Sequence, residues 1–165
     1  MDLSLRPVAD SDLALLENWL NKDYILQWYH DAGEWLTEIK GRNGDFHFIT
    51  HFIVIKGDKP IGFCQYYDCF EAAEEWYSIN GRNEKYSIDY LIGEEAYLRK
   101  GLGKGIIALL VDRIFSFPDA ERVTADIDKE NRASEKALLS NGFMLLDEKH
   151  SRYVFNKRDY MQTVL

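Results

Sequence analysis

Apolar and polar positions divide the chain into short alternating elements. Leu3-Ser4-Leu5-Arg6-Pro7 alternates and predicts an opening strand. Asp10, Ser11 and Asp12 then offer N-cap side chains to a helix with apolar positions Leu13, Leu16, Trp19 and Leu20. Glu34 to Lys40 predicts a second helix, preceded by Gly33 and ended by Gly41, Asn43 and Gly44. Phe46 to Ile55 is β-branched and aromatic, Gly57-Asp58-Lys59-Pro60 is a turn, and Ile61 to Tyr67 completes a hairpin. Asp68 to Lys85 reads as a long connection and Tyr86 to Ile92 as another strand.

The period changes after Arg99-Lys100-Gly101-Leu102-Gly103-Lys104-Gly105. Ile106, Ile107, Leu110, Val111, Ile114 and Phe115 recur at helical spacing, and Pro118 stops that helix. Arg122 to Ile127 predicts a strand, Asn131 to Asn141 a helix closed by Gly142, and Phe143 to Glu148 with Arg152 to Asn156 two last strands. No internal repeat or linker interrupts the order. The expectation is one mixed α/β domain over residues 1–165, with a strand–glycine loop–helix–strand unit in its second half.

Composition narrows the function classes. At 165 residues and 46% hydrophobic, the chain can bury a core without a metal or disulfide staple. Its longest apolar runs, such as Ile106 to Val111, fall far short of the ~20 residues needed to cross a bilayer. Acids stand near the N-terminus where a signal peptide would be basic, so a cytoplasmic protein with no membrane partner is expected. Twenty basic against 28 acidic residues give a net charge of −8, which disfavours nucleic acid and favours a cationic small molecule or basic peptide. From Asp68 to Glu95 eight acidic residues face two basic ones, which reads as a solvated loop or an acidic pocket. Cys64 and Cys69 are five apart in a strand-like run, so they point to opposite faces and read as reduced thiols; no metal site is expected.

The strongest chemical signal is the glycine loop. Gly101 and Gly103 let the backbone turn tightly and approach a ligand, and the helix that follows presents unpaired N–H groups suited to a pyrophosphate. Arg99, Lys100 and Lys104 add local cations. Downstream come Asn131-Arg132-Ala133-Ser134 and Asn141-Gly142-Phe143. With these two motifs in order, the segment from about Tyr86 to Val154 resembles the GNAT superfamily of N-acetyltransferases, which use acetyl-coenzyme A. Asp23-Tyr24-Ile25-Leu26-Gln27-Trp28, Pro60 to Tyr66 and Ser87-Ile88-Asp89-Tyr90 extend the resemblance toward its aminoglycoside 6′-N-acetyltransferase branch.

The resemblance implies a central splayed, mostly antiparallel sheet flanked by helices, and acetyl transfer to a primary amine by direct attack. It implies a coenzyme A site at Leu91, Ile92, Gly93, Arg99, Lys100, Gly101, Leu102, Gly103, Lys104, Asn131 and Ser134. Asp89 would contact or deprotonate the amine, and Asp126 would line the acceptor pocket; by their own chemistry, Trp28 and Trp76 could wall such a pocket and Gln65 could donate into it. Leu138 stands where many members carry the tyrosine that protonates the leaving thiolate, so Tyr97 or a water would serve instead, or the thiolate would depart unassisted. The residues alone leave other readings open: Asp89 and Asp126 as ordinary carboxylates, the two tryptophans as packing, Gln65 as a solvated edge, and His47 and His51 as surface histidines sharing a strand face. Polyamine, siderophore-precursor or peptide acceptors, a non-catalytic acyl-CoA-binding domain, and a monomer or a homodimer also remain open.

Overall fold

A computed structural model describes residues 2–72 and 81–164; Glu74, Glu75 and Trp76 lie outside the described residues. In chain order the elements are β1 (Leu3–Pro7), α1 (Leu13–Leu20), α2 (Asp23–Tyr29), α3 (Ala32–Lys40), β2 (Ile49–Lys56), β3 (Lys59–Asp68) and β4 (Lys85–Ile92). There follow α4 (Leu102–Phe115), β5 (Arg122–Asp126), α5 (Arg132–Ser140), β6 (Met144–Asp147), β7 (Arg152–Asn156) and α6 (Lys157–Thr163). The seven strands form one sheet in the order β1-β2-β3-β4-β5-β7-β6. All neighbours are antiparallel except β4 and β5, which pair in parallel over only Lys85–Ser87 and Arg122–Thr124. Beyond Ser87 the two central strands part.

Strand alternation sends side chains to both faces, and each face has its own core. Ile53, Phe63 and Leu91 pack with Leu16, Trp19, Leu20 and Ile39 of the first and third helices. Val54, Ile61, Cys64 and Ile88 pack with Ile106, Ile107, Leu110 and Ile114 of α4. Cys64 and Cys69 are both buried and neither forms a disulfide, and burial pushes the Cys64 thiol well up.

Three expectations need correction. Residues 41–48 are turns, so the strand begins at Ile49 and His47 is not on it. His51 is buried, 4% exposed, and stacks on Phe63 with ring centroids 5.8 Å apart. It is therefore no surface histidine: once β2 lies inside the sheet, its odd positions face the first core. The helices α2 and α6 are additional to the predicted elements.

Gly93 is held by packing. A Cβ there would lie 2.1 Å from Cδ2 of Trp19, whose buried indole donates from Nε1 to Glu94 Oε1 at 2.9 Å. Gly93→Ala is expected to cost about 1–3 kcal/mol, the usual penalty for overpacking. Chemical denaturation measures it, and an unchanged midpoint would mean that Trp19 gives way freely.

Burial also depresses the His51 pKa to about 4. The ring is then neutral in the folded chain near pH 5, whereas the unfolded chain, titrating near 6.5, takes up a proton. Stability should thus fall as pH drops from 6.5 to about 4, by a His51 contribution on the order of 3 kcal/mol. Denaturation midpoints across that range should fall less steeply in His51→Leu, and parallel curves would contradict the assignment.

Candidate active site

The parting of β4 from β5 makes the site. Once β5 leaves, carbonyls on that edge of β4 need other donors, and α2 supplies them. Tyr29 donates its hydroxyl to the Tyr90 carbonyl, and Tyr24 donates to the carbonyls of Ile92 at 2.9 Å and Gly93 at 2.8 Å. Burial holds the Tyr24 hydroxyl up at about 12, so it stays a donor at neutral pH, and burial raises Tyr29 as well, with Asp89 nearby adding to the effect.

On one face, a cleft of about 780 Å³ runs from the end of β4 to the starts of α4 and α5. Its lining includes Leu91, Ile92, Arg99, Gly101, Leu102, Gly103, Lys104, Asn131 and Ser134, nine of the eleven residues expected to hold coenzyme A. Gly101 is the N-cap of α4 at φ 72°, a left-handed conformation that suits glycine, and no atom lies within 4 Å of where its Cβ would be. The first turn of α4 thus presents its amides over open space, beside the cations of Arg99 and Lys104. The donor set fits a pyrophosphate. Asn131 caps α5, its side-chain oxygen accepting from Ser134 N at 3.2 Å.

The other two expected residues do not line the cleft. Gly93 abuts Trp19, and its carbonyl accepts from Lys22 Nζ at 2.7 Å as well as from Tyr24. Lys100 places its ammonium 5.6 Å from the centre of the Tyr97 ring. Tyr97, offered by the sequence as an acid, lies in the helical turn Glu95–Tyr97 between Lys59 and Lys100 and is likewise not among the residues lining this cleft. Leu138 is 1% exposed and packs in the core.

On the opposite face, a second cleft of about 470 Å³ lies between α3 and the sheet. Glu34, Trp35 and Glu38 of α3 form one wall, Phe46, Phe48 and Tyr67 others, with Gln65 and Asp89 from the sheet. Gln65 is not a solvated edge: it is buried at 2% exposure and donates from Nε2 to Asp89 Oδ2 at 2.9 Å, directly across the β3–β4 register. Sequence reading did not single out this wall. The signal available was Glu34 and Glu38, one helical turn apart with Trp35 between them, a pattern that any solvated amphipathic helix also shows.

A small recess of about 50 Å³ in the splay, lined by Trp28, Tyr29, Asp89, Tyr90, Asp126, Ser134 and Leu138 among others, shares Tyr90 and Ser134 with the first cleft and Asp89 with the second. Trp28 therefore stands at the junction and along the larger cleft, and is not in the wall of the acidic one. Asp126 reaches the recess but is held by Arg152, which donates from Nε at 2.9 Å and from Nη2 at 3.3 Å. Burial raises its carboxyl above the ordinary value, while Arg152 pulls the other way. No cluster of three or more candidate metal ligands occurs among the described residues, nor any helix long and apolar enough to cross a membrane.

Comparison with known proteins matches these features. The acetyltransferase (GNAT) domain family matches residues 8–150. The aminoglycoside N(6′)-acetyltransferases type 1 of Klebsiella pneumoniae and of Serratia marcescens are each 25% identical over 147 residues, covering 86% of this chain and 73% of the relative. The crystal structure of aminoglycoside acetyltransferase AAC(6′)-Ib with coenzyme A superimposes with a TM-score of 0.84 at 22% identity, over 99% of both chains. Spermidine N-acetyltransferase from Vibrio cholerae gives 0.75 at 16% identity, over 97% of this chain and 98% of the other. The splayed sheet, the glycine cradle and the family match agree: the chain belongs to the GNAT acetyltransferase family and is an acetyl-coenzyme A-dependent N-acetyltransferase.

Proposed function

We propose that the acceptor is a primary amine of a polycationic amino sugar of the aminoglycoside type, and that Asp89 is the carboxylate that receives it. The observation that carries this reading is the place of Asp89, which lines both the acidic aromatic cleft and the recess in the splay. Glu34, Glu38 and Asp89 offer three carboxylates to several ammonium groups, and Trp35, Phe46, Phe48 and Tyr67 offer flat faces to sugar rings and cations. The net charge of −8 draws such a substrate in from a distance. Relatives whose names state aminoglycoside 6′-acetylation support the same class.

Acetyl-coenzyme A supplies an activated acyl group. The α4 amides from Leu102 to Lys104, with Arg99 and Lys104, are proposed to hold its pyrophosphate, and the end of β4 at Tyr90–Ile92, which lines the same cleft, to flank its extended arm. An ammonium has no lone pair to attack with, so Asp89 has two tasks. It binds the cation and takes or relays the proton that the ammonium loses before it attacks, and the second proton leaves the nitrogen by the same route to solvent as the amide forms. Gln65 fixes one Asp89 oxygen by its 2.9 Å bond, leaving the group oriented between cleft and recess. Asp126, tied to Arg152, adds negative charge to the recess and is assigned to substrate binding only.

Asp89→Asn keeps the size and the Gln65 neighbour but removes charge and basicity. It is expected to bind acetyl-coenzyme A as the parent does and to lose at least ~100-fold in kcat/KM for the amine. The loss should shrink as pH rises, because free amine then exists without a base. An amine panel that includes an aminoglycoside and a linear polyamine measures this, and parental rates across the pH range would remove Asp89 from the chemistry. Preference for the linear amine would redirect the acceptor class.

Gly101→Val places a branched side chain on a left-handed N-cap beside the proposed phosphate cradle. Calorimetry should show coenzyme A binding weakened by at least ~10-fold, in line with losing about one charge-assisted contact. Unchanged affinity in the folded variant would place the pyrophosphate elsewhere.

A further inference from the structure

The face of the sheet that carries Asp89 is built in rows. Strand pairing sets Ile53, Phe63 and Leu91 side by side across β2, β3 and β4, and two residues further along it sets His51, Gln65 and Asp89 side by side in the same way. A two-residue step keeps a side chain on the same face, so the apolar row packs in the core under α1 and α3 and the polar row lies next to it. Partners directly across a ladder hold their Cβ atoms about 5 Å apart, within reach of one side-chain hydrogen bond. The polar row runs from the core to the acceptor cleft. His51 is buried behind, and Gln65 and Asp89 line the cleft itself.

The hydrogen bonds along this row are half made. Gln65 donates from Nε2 to Asp89 Oδ2 at 2.9 Å, while Gln65 Oε1 and both ring nitrogens of His51 are buried without a hydrogen-bond partner among the described residues. Burial keeps the ring neutral, with one N–H donor and one lone pair. A buried donor and a buried acceptor left apart are each costly, and these two are neighbours across one ladder. The Gln65 side chain also acts on the ring with the sign of an N–H donating to its oxygen, raising the pKa against burial.

We propose that His51 is a positioning residue for acetyl transfer: its neutral ring N–H donates to Gln65 Oε1 and so fixes the amide with its nitrogen toward Asp89. The orientation matters because a glutamine amide turns readily about its last torsion. Turned over, Gln65 would set its oxygen against the Asp89 carboxylate, two acceptors at hydrogen-bond distance. With a donor on one side and a carboxylate on the other, only one amide orientation satisfies both neighbours. Without the donor, Oε1 is a buried acceptor that gains by turning away, and Asp89 loses its fixed direction. Phe63 holds the ring in place, stacked at an interplanar angle of 26°. Arg42, the cation whose charge reaches the ring, is paired with Asp10 at 2.6 Å and disfavours a second proton on it. His51 touches neither substrate and acts on Asp89 through Gln65 alone.

This role rests on the assignment of Asp89 as the carboxylate for the amine, and the tests separate the two. His51→Phe keeps a ring on Phe63 and removes the donor. Its kcat with the best amine is expected to fall roughly 10-fold, less than the loss from Asp89→Asn, because the carboxylate remains but is no longer held. The amine KM and the affinity for coenzyme A should stay parental. His51→Gln, which returns an N–H at that place, should recover most of the loss. Gln65→Met cuts the row in the middle, so in that background His51→Phe should cost nothing further in turnover. Parental kcat in His51→Phe overturns the proposal, as does a double variant whose loss is the product of the single losses. Parental rates in Asp89→Asn remove the Asp89 assignment, whereas a large Asp89→Asn loss beside a parental His51→Phe removes only the role of His51. Should His51→Phe not fold, nitrogen-resolved NMR of the parent should show a neutral His51 ring with one hydrogen-bonded N–H whose resonance moves in Gln65→Met; a resonance that stays put overturns the role.

Discussion

The β4–β5 pairing holds for three residues and then stops, and that early end of one parallel ladder organises everything else. Had it continued, the centre of the sheet would be closed and no ligand could reach through it. Its end exposes an edge in the middle of a seven-stranded sheet, an unstable arrangement unless other groups satisfy the freed backbone. Tyr24 and Tyr29 do so from α2, a short helix whose N-cap residue Lys22 makes no side-chain bond to the helix's own amides. The helix is therefore a consequence of the gap, held by the strand whose carbonyls it satisfies.

Two packed faces keep the gap rigid. Trp19 and its neighbours close one side of the sheet, and α4 with its row of buried isoleucines and leucines closes the other. Close backbone approach at Gly62, where a Cβ would meet the Leu91 carbonyl at 2.3 Å, and at Gly93 against Trp19, locks β3 and the end of β4 to this frame. The electrostatics are divided along the same line. Cations gather at the start of α4, where an anionic ligand fits, while Glu34, Glu38 and Asp89 gather on the opposite face, where a cationic one fits. A chain of net charge −8 thus presents opposite local fields to its two substrates.

Most of the frame was legible in the sequence because it follows from periodicity. The apolar stripe from Ile106 to Phe115 and the hairpin around Gly57-Asp58 appear where local pattern places them, and the glycine loop proved to open its helix from within. The α2 helix was not legible as an element, since seven residues with no side-chain cap gain their stability from hydroxyl bonds to residues some 60 to 70 positions away. Similarly, the resemblance placed Gly93 in the coenzyme A site, because sequence does not show the indole that excludes a side chain there. His51 read as a surface histidine and Gln65 as either a pocket donor or a solvated edge because a strand's two faces look alike until the helices that cover each are known. The acidic wall of α3 escaped for the same reason: only the fold turns Glu34 and Glu38 toward Asp89.

The central claim is that the sheet is a partition, with coenzyme A on the α4–α5 face, the amine on the α3 face, and transfer beside Asp89 through the gap. A crystal structure of the enzyme with coenzyme A and an aminoglycoside tests it directly. The account predicts pyrophosphate on the amides of Leu102 to Lys104, sulfur at the recess in the β4–β5 gap, and an amine nitrogen against the Asp89 carboxylate on the opposite side. Both ligands entering from one face of the sheet, or a sulfur remote from the β4–β5 gap, would contradict it.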